Sequence, residues 1–193
     1  MSHRNFLFAG LILATLATAC RSEYHQRVEA ELAKGVREDS LFLGITFGMS
    51  SKEFYAHCWE LNKQGIIREG TQNMTVMYEE TNLQHPAVMD FYPDFYEEKI
   101  YEMPVTYSYK AWAPWNKELF ADSLQQDLLT LYKQRYGSDF IVVEHPATGE
   151  AYVKVDGNRR ISIYREDDTN VKVVFTDLLA ERKKKEQATQ ANL

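Results

Sequence analysis

Between Lys99 and Lys110 the chain reads KIYEMPVTYSYK, with Tyr101, Met103, Val105, Tyr107 and Tyr109 at every second position. A period of two places all five on one face of a strand, and such a face must be buried in a sheet. Two shorter runs precede it, MTVMYEE and AVMDFY, and four follow: DFIVVEH, EAYVKVD, RRISIYRE and NVKVVFT. Asp156-Gly157-Asn158 reads as a tight hairpin, because glycine accepts a positive φ there. Glu166 to Asn170 reads as another, and PDFYEE as an acidic, aromatic turn. Pro104 removes a ladder donor, which predicts a bulge or an edge position at that point.

Two helices punctuate the strands. Ser50 with Glu53 three residues on is a capping-box pattern. It predicts a helix from about Ser51 to Lys63, closed by Gly65 in a left-handed cap. Asn116, with Pro114 just outside, predicts the start of a second helix that runs to about Tyr136. Phe120, Leu124, Leu128 and Leu131 form its apolar stripe, and Gly137 ends it. Asp177 is placed to cap a last helix, LLAERKKKE, that frays into a charged polar tail over 181–193. The order is helix and about three strands, then helix and about four. LNKQG and LYKQRYG close the two helices in similar fashion. The expected fold is therefore α+β: an antiparallel sheet with helices on one face, in two tandem units spanning 41–111 and 112–180.

The N-terminus is of another character. Arg4 precedes FLFAGLILATLATA, Phe6 to Ala19, which carries no charge. These fourteen residues are fewer than the roughly 20 that a membrane span needs. A positive start, a short apolar stretch and small residues at its end describe a secretory signal peptide over 1–19. Ala17-Thr18-Ala19 satisfies ordinary signal cleavage, and Ala17-Thr18-Ala19-Cys20 also resembles a bacterial lipobox. The lipobox reading makes Cys20 a lipidated first residue, anchored to a membrane by its acyl chains. The alternative is plain secretion with Cys20 free or paired. Residues 20–40 are charged, carry few large apolar side chains and read as a polar tether.

Composition narrows the class of function. Net charge is −6, and loss of Arg4 with the leader takes it to −7. An acidic chain is repelled by phosphates, so nucleic acid is not an expected partner. Aromatic residues at 13%, with 12 Tyr and 10 Phe, suit pleated surfaces and agree with a sheet.

The stretch ITFGMSSKEF resembles the Gly-Met-Ser entry to the first helix in small outer-membrane lipoproteins of the SmpA/BamE type, and in domains of the β-lactamase-inhibitor-protein fold. Here the corner is Gly48, Met49 and Ser50. The resemblance covers about ten residues. It implies helices laid on an antiparallel sheet, sometimes twice in tandem, and an envelope location; it carries over no partner.

Catalytic vocabulary is sparse. No HExxH, GxSxG or phosphate-binding glycine loop occurs. His57 adjoins Cys58, but helical neighbours point about 100° apart and make no nucleophile–base pair. Cys58 shares a face with Phe54 and Leu61 and reads as a buried filler. Two cysteines without ligand spacing make no metal site, and no cofactor is expected. Acids cluster at Asp90–Glu98 and at Glu166–Asp168 without the spacing of a calcium loop. Trp112-Ala113-Pro114-Trp115 is either an exposed aromatic platform for a partner or a plug between two halves of the fold. The expectation is a non-catalytic lipoprotein of the bacterial envelope, at the outer membrane, that binds an envelope protein or a cell-wall component. The alternatives are a periplasmic enzyme with an unfamiliar site built from His, Cys or carboxylates, and a small-ligand carrier.

Overall fold

In the computed structural model, residues 23–70, 74–145 and 149–191 are described. Helix α1 spans Glu23–Ala33 and α2 Ser51–Lys63. Five strands follow: β1 Ile67–Glu69, β2 Val76–Glu80, β3 Ala87–Phe91, β4 Asp94–Tyr96 and β5 Lys99–Tyr109. A 3-10 turn over Lys117–Leu119 leads to α3, Ala121–Tyr136. Then come β6 Ile141–His145, β7 Gly149–Asp156, β8 Arg159–Arg165, β9 Asn170–Asp177 and helix α4 Leu178–Gln190.

The strands form one antiparallel sheet in the order β1-β2-β3-β5-β9-β8-β7-β6, with β4 paired to β5 beside β3. That order is symmetric about the central β5–β9 pair, whose register runs through Val105 opposite Val173. In each half the last strand lies innermost and the first outermost. The α+β fold is thus two helix-plus-strands units joined strand to strand. Their first helices, α2 and α3, lie on one face. There Phe54 and Cys58 of α2 and Leu124, Leu128 and Tyr132 of α3 meet Met103, Val105 and Tyr107 of β5, Val173 and Phe175 of β9 and Ile161 of β8. Met103, Val105, Tyr107 and Tyr109 share the core face, as the alternation predicts, but Tyr101 does not: the register shifts between Ile100 and Glu102, so Ile100 enters the core and Tyr101 meets Lys184 of α4.

Capping explains where α2 begins. Ser50 accepts from the Glu53 amide at 3.3 Å, and the Glu53 carboxylate accepts from the Ser50 amide at 2.7 Å. Asp177 likewise caps α4, accepting from the Leu179 and Ala180 amides. The second predicted cap fails. Asn116 makes no side-chain cap bond and opens the 3-10 turn, while α3 starts at Ala121 behind Phe120. Pro104 lies in the central strand, not at an edge. It falls where the neighbour changes, between Phe91 opposite Val105 and Asp94 opposite Glu102.

The ends of the chain also depart from expectation. Residues 20–40 are not a tether over their described part. α1 docks on the reverse face of the sheet, where Tyr24, Val28 and Leu32 pack against Ala151, Val153 and Val155 of β7 and against Leu178. Spacings of four and four make this a narrow stripe, easily lost among charged neighbours. The following loop is seated too: a Cβ on Gly157 would clash with the Val36 carbonyl oxygen. The 181–193 tail is helical to Gln190, because side chains pin it. Arg182 meets Glu29, Lys183 meets Glu97, Lys184 donates to the Tyr101 hydroxyl and Tyr96 donates to Gln187.

Candidate binding surface

Strand alternation sends Ile161 and Ile163 into the core and Arg160 to the reverse face, under α1 and α4. Its guanidinium donates to the Tyr24 hydroxyl at 2.8 Å, to Thr176 Oγ1 at 3.0 Å and to Glu181 Oε1 at 3.3 Å. Thr176 in turn donates to Glu102 Oε2 at 3.1 Å. Four elements therefore meet at one side chain, and Thr176 links in β5 as a fifth. Burial raises the Glu102 carboxyl above the usual carboxylate range, although Thr176 and Arg160 oppose it. Burial also acts to raise Glu181, but Arg160 and Lys185 outweigh it and hold that carboxyl low.

Two hollows share Tyr24 and Arg160. One, of about 320 Å³, sits on the sheet between Glu102, Val143, Ser162 and Tyr164. The other, of about 640 Å³, is an open groove between α1 and α4 lined by Val28, Leu178, Arg182 and Lys185. Both are within the size range of small-molecule sites. An apolar floor with a hydrogen-bonded cation at its centre suits binding of a segment or molecule that is partly apolar and partly polar.

Cys20 lies outside the described residues. The Trp pair separates. Trp112 is 36% exposed and lies against Phe120 at 5.9 Å, so it partly plugs the connector; Trp115 is 85% exposed. Trp59, which the sequence reading passed over, is 62% exposed on the outer side of α2, with Lys63 over its ring. All three tryptophans of the chain thus stand outside the core. Trp59 had one signal: it falls off the Phe54–Cys58–Leu61 face.

His57 and Cys58 serve the fold. His57 Nε2 is 2.7 Å from the Leu43 carbonyl oxygen and fastens a corner where Leu43 and Gly44 both have positive φ. Cys58 is a buried free thiol whose pKa burial pushes up to about 11, the opposite of an activated nucleophile. His85 packs edge-on against Tyr109, and the side chain of His145 lies outside the described residues. Glu97 is engaged by Lys183, and Asp167 accepts from the Thr169 and Asn170 amides within its own turn. Among the described residues no three His, Cys, Asp or Glu side chains gather as a metal site.

No family model, curated protein or solved structure matches the chain. No described helix is long and apolar enough to cross a membrane.

Proposed function

We infer that the chain is a non-catalytic lipoprotein of the bacterial envelope, acylated at Cys20 and held at the outer membrane. In this reading it is a binding module for an envelope protein or a cell-wall component. The leader before Cys20 and the local resemblance at Gly48-Met49-Ser50 support the location. The observation that carries the binding role is the Arg160 centre. It ties Tyr24, Thr176 and Glu181 together between two adjoining hollows, while His57 and Cys58 are committed to structural contacts.

A photo-crosslinking residue at Ser162, inside the smaller hollow, tests this in intact cells. A discrete adduct from Ser162, absent when the residue is moved to exposed Lys133 on α3, is the expected result. No adduct from Ser162, or the same adduct from both sites, would refute the surface. The hollow between the sheet and Tyr24 of α1 also favours a second reading, a small-ligand carrier. Native mass spectrometry separates the two: a co-purifying small molecule lost in Arg160→Ala supports the carrier.

A further inference from the structure

The sheet ends in two different ways. At one end lies β1, only three residues long, in which Arg68 and Glu69 follow Ile67 and Arg68 reaches across to Glu79 of β2. A short, charged edge resists the addition of a further strand. At the other end lies β6, which pairs with β7 alone among the described residues. It is five residues long and opens on three β-branched residues in a row, Ile141, Val142 and Val143, without proline, lysine or a bulge. Its outer N–H and C=O groups therefore form a free ladder of the kind that accepts another strand. The side chains suit the same use. Ile141 and Val143 share the reverse face with Val153 and Ala151, in the layer that α1 packs against. Val142 lies on the α3 face beside Tyr152 and is 55% exposed.

We propose that β6 pairs antiparallel with β6 of a second copy of this chain, about a two-fold axis at Val142, and so joins two sheets into one. The strand is self-complementary in that register. Val142 faces its own counterpart, and Ile141 and Val143 face each other on both sides of the axis, so three β-branched pairs meet. Beyond them Glu144 falls opposite Phe140 and His145 opposite Asp139, so no like charges are opposed. Opposed residues keep to one face, so α1 of each copy stays on the reverse face and Val142 gains the cover it lacks. An axis at Val143 would set Glu144 against Val142 and lose the match. This fit of the strand to itself favours a second copy over a foreign strand. The contact is small and each copy carries a net charge of −6, which puts the pairing in the weak, transient class. The inference depends on neither the Cys20 anchor nor the Arg160 surface.

Sedimentation of the purified chain in detergent, over micromolar to millimolar concentrations, should show a reversible monomer–dimer equilibrium. Val142→Lys should weaken it by about tenfold or more, since lysine guards sheet edges. Circular dichroism checks that this variant is folded. Oxidation tests the register. Val142→Cys should give several-fold more disulfide-linked dimer than Glu144→Cys, because the two copies of position 144 lie roughly 14 Å apart. A disulfide spans Cα atoms no more than about 7 Å apart. The parent chain, with the same Cys20 and Cys58, sets the background. A dimer indifferent to Val142→Lys, or equal linkage from both cysteine variants, would overturn the proposal. So would a chain that is monomeric at every concentration; a crosslink from position 142 to a different protein in intact cells would then assign the edge to a foreign strand.

Discussion

The two halves share an order of elements but not a way of being held. In the second half α3 buries seven residues, among them Leu124, Leu128 and Tyr132, and α1 with α4 covers the reverse face. In the first half α2 buries only Phe54 and Cys58, and its outer side shows Tyr55 and Trp59 to solvent. The second half is a three-layered core; the first is closer to a sheet with a helix fastened by its capping box. One pattern of strands can therefore support very different depths of burial.

The largest effect should come from the deep half. Leu128→Ala, at a fully buried position, is expected to cost about 2–5 kcal/mol, and adding Leu124→Ala should abolish the cooperative transition. Trp59→Ala on the shallow half should stay within about 0.5 kcal/mol. Urea unfolding measures all of these, and similar midpoints for Leu128→Ala and Trp59→Ala would erase the contrast.

The junction between the halves comes next. Glu80 of β2 is fully buried, and Arg135 of α3 reaches its Oε2 at 2.8 Å while remaining 35% exposed. Asn82 donates to the other oxygen from both its backbone and its side-chain amide. Arg135→Met strands a buried charge and should destabilise by about 3 kcal/mol, the low end for a broken buried pair. A loss near zero would mean that the halves are joined without help from this pair.

Glu102 accepts from Thr176 on the reverse face, and its signature is pH dependence. Its carboxyl is raised in the folded state, chiefly by burial, so folding favours the protonated form. Its contribution is fully present below the unfolded value of about 4.3 and is lost as pH rises through the folded value. Glu102→Gln should remove that fall, which urea midpoints from about pH 4 to 7 would show as a flatter profile. An unchanged profile would place the proton elsewhere.

A small effect of the opposite sign concerns a local defect of the shallow half. Glu97 and Glu98 form the two-residue turn between β4 and β5, both at positive φ. Such turns favour Asn-Gly. Glu98→Gly should raise stability by roughly 1 kcal/mol, since a left-handed residue with a Cβ costs about that much. A loss would show that the Glu98 side chain is needed where it stands.

Sequence legibility followed burial. β7, β8, β9 and most of β5 repeat every two residues because one face is enclosed, so pattern and structure agree, whereas β6 at the sheet edge has Val142 exposed. β4 was hidden as a turn, since it pairs with β5 for three residues only and its DFY carries no alternation to read. α1 was hidden because three contacts on a polar helix leave a faint stripe. The Asp177 cap announced α4, but its length depends on partners such as Glu97, 86 residues away. The candidate site was legible least. RRISIYRE shows that Arg160 faces away from the core, yet Tyr24 lies 136 residues from it, and no local pattern joins them. The exposure of Trp115 was equally out of reach, because a connector's side chains are covered or left bare by what folds around them.

The location underlying the function rests on Cys20. Mass spectrometry of the mature N-terminus, on protein isolated from its own membranes, tests it most directly. A chain that begins at Cys20 and carries the mass of its acyl groups is the expected result. An intact Met1, a start at any other residue, or an unmodified Cys20 would contradict it.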